Sequence, residues 1–212
     1  MVVERIVSRM TGGLKRFHES GHSHFLTFSC YHRYPKFASP DIYSLFIECL
    51  EHMRLRFKMR IYGYVVMPEH VHLLVSEPTP ETLANAMHFL KLSFTKRLRR
   101  PGSFWQKRYY DRNLRDATEF DEKLGYIHLN PVKRGLVKGP AEWEWSSFRH
   151  YALREVGMVE IESEWTAQDR ETLASGGPAR VFLAQVSAKV RREPGAPGYY
   201  FQRRRAGTAR RA

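Results

Sequence analysis

Apolar residues follow two different spacings along this chain, and together they predict an alternating series of strands and helices. Residues 23–30 alternate between apolar and polar positions, which is typical of a strand with one buried face. In residues 40–53 and 83–98 apolar residues recur every three or four positions, so each segment predicts an amphipathic helix. The predicted strands are 23–30, 60–66, 70–75 and 104–114, and the predicted helices begin near residues 40, 80 and 117.

The order of these elements is βαββαβ followed by one further helix. This order is the ferredoxin-like pattern, so we expect an α+β fold with an antiparallel sheet and helices packed on one face. Ser39 and Pro40 provide a helix start, and Asp116 is a suitable N-cap for the last helix. Pro131 disfavours helical geometry at Asn130, so we expect this helix to end there.

The length of 212 residues suits one domain with appendages at both ends. We expect a flexible N-terminal segment at 1–16, followed by the domain at 17–152. Helical spacing is weaker beyond it, and residues 153–192 predict a helical C-terminal extension. Residues 193–212 are rich in arginine, proline and glycine, which predicts a basic, disordered tail.

The strong positive charge of the chain favours a nucleic-acid partner. Lysine and arginine total 35 against 22 aspartates and glutamates, which gives a formal net charge of +13. Such a surface attracts phosphate backbones, but charge alone does not separate DNA from RNA or from an anionic membrane. No apolar run reaches the length of about 18 residues that a membrane span needs, and no secretion signal is visible. We therefore expect a cytoplasmic protein, with Cys30 and Cys49 reduced.

His70 and His72 stand one residue apart in the third predicted strand. Alternate residues of a strand share one face, so the two imidazoles can converge on one divalent metal ion. The flanking residues are apolar, so a polar pair at these positions needs a partner. The alternative is a pair of ordinary sheet histidines, because this spacing also arises by chance in a chain with ten histidines.

Tyr126 and Asn130 lie four residues apart in the last predicted helix, so they share one face about one turn apart. An asparagine oxygen suits a hard cation such as Mg²⁺ or Mn²⁺. A tyrosine hydroxyl beside that cation could attack a phosphorus atom. The alternative is that Tyr126 is a core aromatic residue and Asn130 caps the end of the helix.

Five stretches, taken in order, make the chain resemble the single-tyrosine HUH transposases, and most closely the REP-associated tyrosine transposases. They are residues 24–31, 64–75, 104–112, 126–137 and 145–151. The resemblance covers roughly residues 14–152. Several ordered motifs over that length are specific to a family, whereas a lone His-x-His pair is not.

The resemblance implies both a site and a reaction. It implies His70 and His72 as metal ligands, Tyr126 as nucleophile and Asn130 as third ligand, at a position where related transposases often carry glutamine. It implies Mg²⁺ or Mn²⁺ as cofactor and hairpin-forming single-stranded DNA as partner. The reaction would be strand cleavage and transfer through a 5′-phosphotyrosine intermediate, without a nucleotide cofactor. Related enzymes are monomers or homodimers, so we expect one of these two states.

Basic and aromatic residues near these motifs are predicted DNA contacts, because rings stack on bases and cations neutralise phosphates. The predicted contacts are Arg97, Arg100, Trp105, Lys107, Arg108, Tyr110, Arg112, Lys133 and Arg134. Successive residues of a strand face opposite sides, so one of Tyr109 and Tyr110 is expected to face the core.

Two other function classes remain open on the sequence alone. A non-catalytic nucleic-acid-binding protein would explain the charge and the aromatic residues, but not two convergent histidines beside a Tyr/Asn pair. A metal-dependent nuclease that activates water would keep the histidines and would not need Tyr126. A covalent protein–DNA adduct separates both alternatives from a tyrosine transposase.

Overall fold

The computed structural model describes residues 23–79 and 81–175. Within them, four strands and the first three of five α-helices follow the predicted βαββαβ order with one added helix, and two more helices come after it. The strands are β1 (Ser23–Ser29), β2 (Ile61–Val66), β3 (His70–Ser76) and β4 (Tyr110–Asn113). The helices are α1 (Pro40–Arg56), α2 (Leu83–Leu98), α3 (Ala117–Lys133), α4 (Phe148–Leu153) and α5 (Glu164–Ala174). Short 3₁₀ helices lie at Tyr31–Arg33 and Pro140–Glu142.

The four strands form a single antiparallel sheet in the order β2-β3-β1-β4. This is the order expected when each βαβ crossover leaves room for one strand between its own two, so the predicted ferredoxin-like α+β fold is confirmed. Strand β1 lies between β3 and β4, with Thr27 opposite His72 on one side and opposite Tyr110 on the other. Directly paired residues point to the same face of a sheet, so these three side chains form one row across it.

Helices α1 and α2 cover one face of the sheet and form the larger part of the core. Phe46 and Leu50 of α1 and Phe94 of α2 are fully buried there, against Leu26 and Phe28 of β1. Helix α3 crosses the opposite face and buries a second, smaller apolar cluster. We call this opposite face, which carries His70 and His72, the site face.

A glycine in β2 allows α3 to lie close to the sheet. A β-carbon at Gly63 would come within 2.6 Å of the Leu124 Cδ1 atom of α3, closer than van der Waals contact permits. Leu124 and Ile127 therefore pack directly on the strand, beside Phe25 and Leu74. This packing places the next residues of α3, including Tyr126, over the middle of the site face.

Helix α3 does not end at Asn130, so that prediction is wrong. It continues to Lys133, with Pro131 inside its last turn. Proline removes one backbone donor, but the helix still closes, because the Arg134 N–H donates to the Asn130 carbonyl oxygen at 3.0 Å. Asn130 is thus held in regular helical geometry one turn after Tyr126.

Two other element boundaries also differ from the sequence prediction. Strand β4 begins at Tyr110 rather than at residue 104, because the preceding segment turns inwards and buries Phe104 and Trp105 in the core. Helix α2 begins at Leu83, three to four residues late, because the Thr82 hydroxyl caps it by accepting from the Asn85 N–H. Core packing thus determines where β4 begins, and a side-chain hydrogen bond determines where α2 begins.

The segment after residue 152 contributes to the core. Ile161 pairs with Ile61 alongside β2, and the Glu162 N–H donates to the Ile61 carbonyl oxygen at 2.8 Å. The core therefore extends past the domain end predicted from the sequence. Helix α5 lies within the predicted extension, whereas the predicted segments 1–16 and 193–212 and residues 176–192 of the extension lie outside the described residues. In the part that is described, no helix has the length and apolarity to cross a membrane.

Two buried histidines make the stability of this fold dependent on pH. Burial lowers the pKa of His128 and of His150 to about 3 each. His150 stacks on Trp165, and its Nε2 atom lies 2.9 Å from the Ser163 Oγ atom, which joins α4 to the start of α5.

Because both histidines are neutral when folded, we expect stability to fall as the pH drops below about 6.5, where the unfolded chain binds protons. Between pH 6.5 and its folded pKa, each histidine should lower the free energy of unfolding by up to about 1.4 kcal/mol for each unit that the pH falls. Urea unfolding of wild type and His150→Gln between pH 7.5 and 5 tests this, with the exposed His52→Gln as control. A His150→Gln variant with the same pH slope as wild type would contradict the assignment.

Candidate metal and nucleophile site

The two histidines of the His-x-His pair converge on the site face as predicted. Their Nε2 atoms lie 3.0 Å apart, and the ring planes are nearly perpendicular. His72 is almost fully buried, while His70 at the start of β3 is partly open. Both edge nitrogens therefore point to one common position above the sheet.

A second partner holds each imidazole in this orientation. The Thr27 Oγ1 atom lies 2.8 Å from His72 Nδ1, and the Glu69 Oε1 atom lies 3.1 Å from His70 Nδ1. When Nδ1 carries the proton and donates to these oxygens, the Nε2 lone pair stays free for a ligand. Sequence reasoning missed Thr27 in this role, although a polar residue in an apolar strand was a usable indication.

Electrostatics keep both imidazoles neutral at neutral pH. Burial lowers the pKa of His70 despite the nearby Glu69 carboxylate. Burial, with a smaller contribution from His70, lowers the pKa of His72 to about 3. A neutral imidazole is the form that binds a metal ion, so the pair is ready to act as ligands without first losing a proton.

Helix α3 brings Tyr126 and Asn130 to the histidines, as the sequence predicted. The Tyr126 ring lies edge-on to His72, with ring centroids 5.1 Å apart, and is 40% exposed. Asn130 is only 5% exposed, and its Nδ2 atom lies 3.4 Å from His72 Nε2. Tyr126 is therefore neither a core residue nor distant from the histidines, and Asn130 is not a helix cap.

The donor set fits a divalent cation. Adjacent ligands of an octahedral ion with bonds of about 2.1 Å stand about 3.0 Å apart, which is the separation of the two Nε2 atoms. The buried Oδ1 atom of Asn130 has no hydrogen-bond partner in the described structure. An unpaired buried oxygen costs free energy unless something binds it, and rotating the amide by half a turn would direct it towards the histidines. The described residues include no cluster of three His, Cys, Asp or Glu side chains that could hold a metal ion, so an ion at this position would need the Asn130 amide as its third protein ligand.

An ion pair joins the end of α3 to the histidine strand. The Arg134 guanidinium donates to Glu69 Oε1 at 2.8 Å, and the same oxygen lies beside His70 Nδ1. Arg134, predicted as a DNA contact, therefore has a neighbouring carboxylate that neutralises part of its charge. The ion pair also helps to fix Tyr126 and Asn130 relative to His70, and the role of Arg134 as a DNA contact stays a prediction.

Two predicted DNA contacts lie on the open part of the site face. Tyr110 is opposite Thr27, and Arg112 is opposite Phe25, so both side chains share the face of His72. Tyr110 is more than half exposed, whereas Tyr109 packs against the core. The prediction that one of these two tyrosines faces the core is therefore confirmed. Arg112 pairs with Glu119 of α3 and keeps a side chain that is 44% exposed.

The remaining predicted contacts fall into two groups. The residues that are exposed and accessible to a DNA strand are Arg100, Lys107, Arg108 and Lys133. The Lys133 Nζ atom lies 5.8 Å from the centre of the Tyr126 ring. For Trp105 the prediction is wrong, while the Arg97 side chain is 42% exposed and its role as a DNA contact stays a prediction. Arg97 binds Glu48 and the Cys49 sulfur, which ties α2 to α1 away from the site face. The Trp105 ring is buried among Phe28, Phe46 and Phe94, where no base can stack on it.

His128, two residues after Tyr126, takes no part in the site. It is buried on the inner side of α3, where its Nε2 atom lies 3.0 Å from Ser147 Oγ. Its ring also contacts Phe148 and Tyr151. His128 is therefore not placed to accept the proton of Tyr126.

Comparison with known proteins identifies the family to which the chain belongs. The family model described as "Transposase IS200 like" matches residues 18–130, more than half of the chain, so the protein belongs to this transposase family. A REP-associated tyrosine transposase of Haemophilus influenzae is 30% identical over 105 residues, which cover 43% of this chain and 60% of the relative. One from Escherichia coli K12 is 28% identical over 112 residues, which cover 50% of this chain and 67% of the relative. The matched region thus spans at most about two thirds of the length of these two relatives.

A solved structure of a REP-associated tyrosine transposase bound to a REP hairpin superimposes with a TM-score of 0.58. The two chains are 24% identical, and the match covers 68% of this chain and 90% of that one. At this level of identity the similarity shows the fold.

The donor set generates a prediction about metal binding. We expect Mn²⁺ affinity, measured by calorimetry, to be abolished in His72→Ala because this residue forms the centre of the site. Asn130→Ala should weaken it by about tenfold or more, since the two histidines still hold the ion. His52→Ala, an exposed histidine on α1, serves as control. Wild-type affinity in both His72→Ala and Asn130→Ala would exclude this position as the metal site.

Proposed function

We propose that this protein is a metal-dependent transposase that cleaves and rejoins single-stranded DNA beside hairpins, using Tyr126 as its nucleophile. The observation that carries the proposal is the position of the Tyr126 ring, 5.1 Å from that of His72, in a site with convergent histidine nitrogens. Membership of the IS200-like transposase family supports it, as does the hairpin complex of a protein with the same fold.

In this proposal each group of the site has a defined part. His70, His72 and Asn130 would hold Mg²⁺ or Mn²⁺, which when bound polarises the scissile phosphate. The Tyr126 oxygen attacks the phosphorus, and the bond from phosphorus to the 3′-oxygen breaks. The phenol loses its proton and the leaving 3′-oxygen gains one, so the products are a 5′-phosphotyrosine and a free 3′-hydroxyl. Because the phosphoester bond is conserved, a second 3′-hydroxyl can reverse the step and join a new strand.

The surroundings of Tyr126 suit a substrate that arrives as a single strand. Its side chain is 40% exposed on a face that stays open towards β4, so a phosphate can reach the hydroxyl. Lys133 stands beside the ring and can neutralise that phosphate. Tyr110 and Arg112 continue the same face with a base-stacking ring and a cation. We expect a paired duplex to be a poorer substrate, because its bases are not free to stack on Tyr110.

Replacing Tyr126 with phenylalanine tests the nucleophile. The change removes one partly exposed oxygen and keeps the ring against His72, so the fold should be unchanged. Hairpin affinity should stay within about twofold of wild type. The covalent protein–DNA adduct on denaturing gels should disappear, with a loss of activity beyond about a thousandfold. Strand cleavage that persists in Tyr126→Phe would support a nuclease that uses activated water. A wild-type protein that binds but never cleaves would support a non-catalytic binder.

The form of the substrate provides a separate test. We expect cleavage of a strand beside an imperfect hairpin, and little cleavage of a fully paired duplex of the same sequence. Binding should weaken steeply with salt because the net charge of +13 favours phosphate contacts. Arg112→Ala should lower affinity more than Arg97→Ala does, since Arg97 is tied to α1. Equal cleavage of both substrates at matched salt would argue against the single-strand part of the proposal.

A further inference from the structure

An exposed loop next to the histidines carries rings and cations that the site does not use. Residues Tyr31–Lys36 connect β1 to the segment before α1, and we call them the aromatic loop. The Tyr31 side chain is 41% exposed and the Tyr34 side chain 63% exposed. These are two of the four tyrosines exposed to this extent within the described residues, and the other two, Tyr110 and Tyr126, lie on the site face.

Backbone hydrogen bonds hold both ends of the aromatic loop beside the metal site. The Cys30 N–H donates to the Glu69 carbonyl oxygen at 2.8 Å, and the Phe37 N–H donates to the Pro68 carbonyl oxygen at 3.1 Å. Pro68 and Glu69 immediately precede His70. Burial is the main cause of the low pKa of His70, and the positive charge of Arg33 adds to it, which agrees with this proximity.

The loop is a fixed structure whose rings are turned outwards. The His32 ring lies 4.1 Å from Tyr31 and 6.0 Å from Tyr34, centre to centre. His32 and Arg33 both have positive φ angles, of 54° and 56°, although neither is glycine. Two successive left-handed residues cost free energy, and such conformations tend to persist where function requires them.

Cations surround these rings. The Lys36 Nζ atom lies 5.8 Å from the centre of Tyr31 and 5.7 Å from that of Phe104, and it donates to the Ser103 carbonyl oxygen. Lys36 also lines a recess of about 260 Å³ between the loop and the end of α2, with Arg100 on its other side. Arg33 is exposed and has no carboxylate partner among the ion pairs of the described residues.

We propose that the aromatic loop binds unpaired nucleotides of the DNA strand next to the scissile phosphate, with bases stacked on Tyr31 and Tyr34 and phosphates held by Arg33 and Lys36. Its place beside the cleaved bond rests on the proposed function. Exposed rings between cations match the chemistry of an unpaired strand, because every base offers a flat face and every linkage carries a negative charge. A duplex would present phosphates only, and the rings would then contribute nothing.

A photochemical experiment tests the contact directly. The probe is a hairpin from the DNA that flanks the gene, with single-stranded extensions in which 5-iodouracil replaces one base at a time. Irradiation of the full-length protein with this probe should attach at least one extension position to the peptide that contains Tyr31 and Tyr34. Cross-links that map only to other peptides, such as that of Tyr110, would overturn the proposal.

Affinity measurements on variants supply an independent result. We expect Tyr34→Ala to weaken binding of the extended hairpin at least about fivefold and to leave the bare hairpin unaffected, as stacking on one base implies. Tyr34→Phe keeps the ring and should bind as wild type does. Arg33→Ala should weaken binding of the extended hairpin, whereas Arg154→Ala, which removes the same charge from another left-handed residue, should not. Equal losses for both hairpins, or none, would contradict a single-strand contact.

These outcomes are distinguishable from failure of the proposed function, because binding is measured without cleavage and can be repeated in Tyr126→Phe. A wild-type protein that forms no adduct, yet loses affinity on Tyr34→Ala, would refute the nucleophile and keep the aromatic loop as a binding surface. A normal adduct with unchanged affinity would refute the aromatic loop and keep the nucleophile. Melting temperatures within a few degrees of wild type would confirm that the exposed substitutions leave the fold intact.

Discussion

The contact between Gly63 and Leu124 is the constraint on which the candidate site depends. Helix α3 follows the last strand, and it could lie at several heights above the sheet. The missing side chain at Gly63 allows Leu124 to rest on the strand backbone, since a β-carbon there would come within 2.6 Å. This close approach lets α3 pack on the sheet at the position where the Tyr126 ring lies 5.1 Å from that of His72. A larger residue at Gly63 would first displace the end of the Leu124 side chain and loosen that packing.

A second constraint lies in the buried polar groups. The fold holds two neutral imidazoles with their Nε2 atoms 3.0 Å apart and leaves the Asn130 Oδ1 atom without a partner. Each of these features costs stability in a core that otherwise consists of packed apolar side chains. Thr27, Glu69 and Arg134 fix the arrangement from outside. Such an arrangement is expected where a bound ion offsets the cost.

The cationic residues illustrate why charge alone is a weak guide to binding. Arg97 and Arg112 look alike in the sequence, and each forms a close ion pair with a glutamate. Arg97 faces α1 on the far side of the sheet, whereas Arg112 lies in the row of Phe25 on the site face. The difference follows from the element that carries each residue. Trp105 shows the same for rings, since its position in the core excludes the stacking role that its neighbours suggested.

Several properties followed from the sequence by itself. The spacing of apolar residues specified the βαββαβ order. It also specified that His70 shares a face with His72 and Tyr126 with Asn130, because residues two apart in a strand or four apart in a helix lie on the same side in any fold. Only the tertiary structure decided that these two pairs meet each other. It also decided that Thr27 and Glu69 orient the imidazoles, that α3 continues through Pro131, and that the core includes Ile161. Those contacts join residues far apart in the chain, and no local spacing encodes which distant partners pack or how closely.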